Sequence, residues 1–151
     1  MKILLSIVAL LFAFCLTSCD KEEADSKEIS KMELLCSKDW KFSGWSEKYF
    51  NGVSFGSESD KYQDLLPCLQ KKEWDFNEDY TCIIDDKCFP EGSEYKYLSL
   101  LWDFGIDSTS ILMGSREYFL KRLTKHDLMY YYHIEDYAGP GYKKVTYTFK
   151  R

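Results

Sequence analysis

The chain has 151 residues and a formal net charge of −5, with 20 basic against 25 acidic side chains. An acidic balance without a basic stripe excludes a nucleic-acid footprint and gives no electrostatic pull toward an anionic membrane. Aromatic residues make up 17% of the chain, enough to fill the core of one small domain with little aliphatic sequence. In chain order, Met1-Lys2 is a short positive start and Ile3 to Leu16 is nearly unbroken apolar sequence. Small residues and Cys19 follow, which is the order of a secretory signal. The run is shorter than the roughly 20 residues of a spanning helix, and Asp20-Lys21-Glu22-Glu23 is too polar to extend it.

Leu16-Thr17-Ser18-Cys19 resembles the lipobox of bacterial lipoproteins. That resemblance implies cleavage after Ser18, a diacylglycerol on the Cys19 thiol and acylation of the new amine. Cys15 is the competing candidate, but it follows Phe14, where the resemblance demands a small residue. The expected organisation is a signal peptide at 1–18, a lipidated polar tether at 19–29 and a folded domain at 30–151. Two or more acyl chains suffice for stable attachment. The acidic cluster resembles the export signal of some Bacteroidota surface lipoproteins. The expected location is therefore the outer membrane, with the cell surface favoured over the periplasmic face. Loss of Lys2 leaves 19 basic against 25 acidic residues, a net charge of −6 on the mature chain.

Ser30-Lys31-Met32-Glu33 fits a capping box and predicts a short helix through Leu34-Leu35. Lys38 to Trp45 alternates as a half-buried strand with Trp40 and Phe42 on one face. Residues 46–67 are a long connection of the kind that serves as a lid or binding loop. Lys71–Phe76 and Tyr80–Asp85 read as a hairpin centred on Glu78. That register sets Phe76 opposite Tyr80, Trp74 opposite Cys82 and Cys68 opposite Cys88. Exported cysteines read as disulfides first, so Cys68–Cys88 is expected to be bridged. Cys82 is either a free core thiol or paired with Cys36. Further strands are expected at Tyr97–Phe104, Ser110–Met113, Glu117–Leu123 and Leu128–Glu135. A last strand turns Val145, Tyr147 and Phe149 inward. About eight short strands with turn-length links predict an all-β antiparallel barrel, with an open immunoglobulin-type sandwich as the alternative.

Several features together resemble the lipocalin-like domains of Bacteroidota lipoproteins. They are Leu34-Leu35 before Trp40, Cys68 ahead of Trp74-Asp75-Phe76-Asn77-Glu78-Asp79-Tyr80, and Trp102-Asp103-Phe104. The joint Leu123-Thr124-Lys125-His126-Asp127-Leu128 and the closing run Val145–Lys150 complete the set. The resemblance implies an up-and-down barrel of about eight strands with room for one small ligand. Two positions depart from the pattern: Lys38 stands where a glycine usually precedes the tryptophan, and Tyr80 stands where the hairpin turn usually ends in glycine.

Inward Trp40, Trp74, Trp102 and Phe104 read first as core. Trp45, Tyr49, Phe50 and Phe55 are the candidate ligand contacts, because they lie at a strand end or in the long connection. No nucleophile, base and orienting group fall together, so an enzyme is not expected. His126 and His133 read as surface residues, and no cofactor or metal is expected from this cysteine and histidine spacing. The function expected is an anchored barrel that binds a small apolar or amphipathic ligand. The alternative is a non-enzymatic structural or protein-interaction subunit of a cell-surface complex with a solid barrel. A continuous cavity above roughly 300 Å³ favours the first; an interior sealed by Trp40, Trp74 and Trp102 favours the second.

Overall fold

The computed structural model describes residues 29–135 and 140–151; the lipidation candidate Cys19 lies outside the described residues. A six-residue helix α1 (Lys31–Cys36) precedes the sheet. Its start is fixed by Ser30, whose Oγ accepts from the Glu33 amide at 3.1 Å while the Glu33 carboxylate accepts from the Ser30 amide at 3.1 Å. The helix buries Leu35 completely.

Nine strands follow: β1 (Trp40–Phe50), β2 (Ser59–Asp60), β3 (Glu73–Phe76), β4 (Thr81–Asp85), β5 (Tyr97–Phe104), β6 (Ser110–Met113), β7 (Arg116–Leu123), β8 (Asp127–Glu135) and β9 (Tyr142–Lys150). All sequential pairings from β3 to β9 are antiparallel, and β1 pairs with β3 on one side and β9 on the other. The sheet therefore closes into an eight-stranded barrel, with the two-residue β2 attached outside β1. Closure removes the unpaired backbone edges that an open sheet would leave. The barrel, rather than the sandwich, is the architecture found.

The two ends of the barrel differ. One end gathers α1, the β3–β4 turn, the start of β1 and the end of β9. There Leu35, Trp40, Phe76, Cys82, Trp102, Leu128 and Phe149 form a solid core with almost no exposure. Trp40 Nε1 donates to Leu35 O at 2.9 Å, and Trp102 Nε1 reaches Asn77 O and Thr81 O at 3.2 and 3.0 Å. Both buried indoles are thus satisfied, as their polar edges require.

The hairpin forms in a register two residues away from the expected one. Trp74 pairs with Ile84 and Phe76 with Cys82, not Trp74 with Cys82 and Phe76 with Tyr80. The cause is Tyr80, whose φ of 65° places it in the left-handed region. Its amide donates to Asn77 O at 3.0 Å, and Asn77 N donates to Thr81 O at 2.8 Å. The turn therefore takes up Tyr80, and the ladder restarts at Thr81. A shift of two leaves every side chain on its face.

Cys68 and Cys88 are bridged, with Cα atoms 4.9 Å apart. Cys68 is not in the ladder, however. It caps a 3-10 turn at Leu69–Lys71 in helical backbone conformation. The bridge ties the long connection to the β4–β5 loop rather than continuing the hairpin. Cys36 and Cys82 are free thiols; in place of a second bridge, Cys36 Sγ meets Met32 Sδ of its own helix at 3.5 Å. Replacing Cys68 and Cys88 together by serine should lower the unfolding free energy by about 3 kcal/mol for a loop of this length. Urea unfolding with and without reductant measures it, and an unchanged midpoint in the double variant would exclude a structural bridge.

Candidate ligand cavity

The barrel interior is not filled throughout. A partly enclosed cavity of about 270 Å³ lies between the solid end and the loops of the opposite end. Its size falls just under the roughly 300 Å³ at which ligand pockets usually begin. Trp40 and Trp102 seal the solid end, whereas Trp74 lines the cavity. The interior is thus half core and half recess, between the two alternatives that the sequence poses.

The recess exists because of the seam between β1 and β3. Those strands pair only at Trp40–Trp74 and Lys41–Glu73, with one more contact from Phe42 N to Lys72 O at 3.0 Å. Beyond it, β1 continues along β9 and the gap is filled by the connection. Tyr62 holds that filling in place: its hydroxyl lies 3.1 Å from Phe42 O and 2.9 Å from Gln70 O. Gln70 Nε2 returns a bond to Tyr62 O at 2.9 Å. The connection then presents Leu65, Leu69 and Lys72 to the cavity.

The opposite wall comes from inward positions of the ladder. Ile84, Leu100 and Met113 supply aliphatic surface; Tyr118, Tyr130 and Tyr147 supply rings. Tyr118 and Tyr130 meet edge to face at 5.0 Å, Tyr130 and Tyr147 at 5.8 Å. Burial pushes the Tyr130 hydroxyl well above its ordinary pKa, and burial likewise raises Tyr147 and Tyr118. These hydroxyls remain neutral hydrogen-bonding groups at physiological pH. Lys72 is the charged residue on the lining, and it is ion-paired with Asp86 at 2.7 Å. The cavity is therefore apolar, ring-rich and without a spare charge.

Of the four residues proposed from sequence as contacts, Trp45 lines the cavity. Tyr49, Phe50 and Phe55 do not belong to its lining. Phe50 instead packs on Phe55 at 5.1 Å and on Tyr142 at 5.0 Å, with Lys48 over Phe55. Tyr131 stands outward, stacked on Phe119 at 5.4 Å beneath the Lys144 ammonium. His126 lies exposed in the β7–β8 turn, and His133 is exposed on β8. Lys72, expected in the strand Lys71–Phe76, falls just before β3, and Leu65 and Leu69 escape a sequence reading because they lie in the aperiodic connection. Their one signal is an apolar Leu-Leu-Pro run inside a polar loop.

Burial pushes the free Cys82 thiol up to about 12 and Cys36 up to about 11. Both stay protonated near neutral pH and are weak nucleophiles. Among the described residues no group of three or more histidine, cysteine, aspartate or glutamate side chains could hold a metal ion. No protein-family model matches the chain, and no curated protein sequence matches it.

The tyrosine shifts fix an alkaline response. A phenol held above its unfolded value binds its proton longer in the folded state, so the folded state loses stability as pH rises past about 10. Spectrophotometric titration should show Tyr118, Tyr130 and Tyr147 ionising only together with unfolding. Ionisation of every tyrosine in a still-folded protein would contradict the burial described.

Proposed function

We propose that this protein is an envelope lipoprotein, lipid-anchored at Cys19, whose lipocalin-like barrel takes a small apolar or amphipathic ligand into its half-open end. The observation that supports it is the recess itself. A chain rich enough in rings to seal Trp40, Trp102 and Phe76 together leaves a recess of about 270 Å³ beside that core, behind a wall fastened by a disulfide and a tyrosine clamp. Cores of small domains are normally packed without voids, so a persistent recess lined by Trp45, Trp74 and Tyr147 suits a guest. The lipobox resemblance supports the anchor, and the tether leads into α1 at the solid end.

A second reading, a protein-interaction subunit, draws support from the exposed Val53, Phe55 and Leu66 on the long connection. Exposed apolar residues of this kind are common at partner surfaces. A cavity-filling variant separates the two. Leu100→Trp should abolish ligand uptake and leave any partner complex intact.

Two measurements test the proposal. Cys19→Ala should move the protein from the membrane fraction to the soluble one; retention in the membrane would refute the anchor. Native mass spectrometry of the protein purified from its host should show a small-molecule adduct that Leu100→Trp loses. An adduct that persists in the filled variant would place binding elsewhere.

A further inference from the structure

We infer that the end of the barrel opposite α1 lies against the lipid surface that anchors the chain, so that the recess faces the bilayer. This orientation rests on the proposed anchor at Cys19 and adds which way the barrel stands on it.

The two ends expose different chemistry. The plug end turns out Glu78, Asp79, Asp107 and Lys125 from its three turns, with Ile29, Tyr80 and Ile106 as its exposed apolar residues. The opposite end exposes Val53 and Leu66 on the long connection and Phe89 and Tyr95 on the β4–β5 loop. Tyr97, Leu98 and Ile134 stand exposed at the strand ends beside them. Val53 is 88% exposed and Leu66 64%. Lysines of this end are matched within the protein: Lys72 to Asp86, Lys87 to Glu73 at 2.9 Å and Lys143 to Glu47 at 3.1 Å. Paired charges lower the cost of leaving water, and apolar side chains gathered at one place on a surface mark a contact site.

Val53 and Leu66 are also residues that the second reading gives to a protein partner. The outer wall behind them assigns them to lipid. There Tyr131, His133, Tyr142, Phe50 and Phe55 form a continuous belt across β8, β9 and β1, with successive rings at 5.4, 4.5, 5.0 and 5.1 Å. Phe119 of β7 extends it, stacked on Tyr131. Lys144 lies over Tyr131 and Lys48 over Phe55. Burial, and then the neighbouring Lys121 and Lys48, hold the Lys144 ammonium below its ordinary pKa. This wall therefore gathers positive charge on a chain whose overall balance is acidic. Aromatic rings settle at the headgroup level of a bilayer, and lysines lay their stems along apolar surface while their ammonium groups stay in the polar layer. A protein partner accounts for the exposed loops alone; lipid accounts for the loops, the rings and the lysines together.

The chain leading to the anchor leaves from the plug end, yet it is long enough. Residues 20–29 separate Cys19 from the cap of α1, and ten residues fully extended reach about 35 Å. Strands of eight or nine residues, tilted as in a closed barrel, stand only about 25 Å tall. Cys19 and the far loops can thus meet the same leaflet. An anchor that holds the loops this close makes even weak contacts sufficient to set the orientation.

The mature lipidated protein in phosphatidylcholine vesicles tests the inference. An environment-sensitive fluorophore is attached at Val53→Cys or, in a separate protein, at Ile106→Cys; both positions are exposed and outside the strands. The free Cys36 and Cys82 stay protonated near neutral pH and label poorly. With nitroxide groups on the lipid acyl chains, the Val53→Cys label should lose most of its emission and the Ile106→Cys label should keep it. Adding Leu66→Asp and Tyr95→Asp should restore emission at Val53→Cys while the protein still floats with the vesicles. Equal quenching at the two positions, quenching at Ile106→Cys alone, or none at either in protein that floats would overturn the orientation and leave the anchor standing. Protein that does not float with the vesicles would overturn the anchor and the orientation together.

Discussion

The Arg151 guanidinium sits 3.7 Å from the ring of Trp40, and the rest of the barrel depends on that contact. It joins three elements distant in sequence. Arg151 follows β9, Trp40 opens β1, and the guanidinium nitrogens bond Leu34 O and Leu35 O of α1 at 2.5 and 3.2 Å. Trp40 in turn bonds Leu35 O. One cation and one indole therefore satisfy helix carbonyls that have no intrahelical partner, and they tie the start of β1 and the residue after β9 to α1. A cation over a desolvated indole face contributes up to about 2 kcal/mol. Because Trp40 is fully buried, that contact is shielded from competing water.

With one end plugged, the interior can differ from bottom to top. At the plug, aromatic and aliphatic side chains interlock and both indole N–H groups are bonded. Above it the inward residues are as large, but the wall opposite them is loop rather than strand. The difference between core and recess thus comes from backbone geometry at the β1–β3 seam, not from a change in composition. The tyrosines sit where this matters, since Tyr118, Tyr130 and Tyr147 all line the recess.

Much of this was legible in the sequence, and the failures have physical causes. Strands β5 and β6 were placed at their observed bounds because alternation and flanking turn residues agree there. The helix start was legible because Ser30 and Glu33 form a reciprocal cap. The hairpin register was not, because the one signal that Tyr80 takes a left-handed backbone, its standing where the resemblance puts glycine, does not enter a centring of the turn on Glu78. The expected pairing of Cys68 with Cys88 was found although the reasoning behind it held only in part. Both cysteines lie beyond the paired residues, where a shift of two is absorbed by loop. Of the ligand candidates, Trp45 was chosen as a strand-end residue; it reaches the cavity because β1 runs on to Phe50 and an irregularity between Phe42 and Gly44 turns it inward. Leu65 and Leu69 were not legible, since a cavity wall built from aperiodic chain has no period to detect. Whether inward rings meet or leave a gap is a property of three-dimensional closure that alternation does not encode.

The connection from Lys61 to Lys72 also separates two kinds of inheritance in this molecule. Eight strands, their ladder and the plugged end can be kept constant while a dozen residues outside the ladder are exchanged. Because those residues furnish one wall of the recess and are stitched down by Tyr62, Gln70 and Cys68, changes among them would remould its outline without disturbing a single strand pairing. A scaffold arranged in this way can diversify what it admits much as an antibody does, through one variable segment carried on an invariant frame.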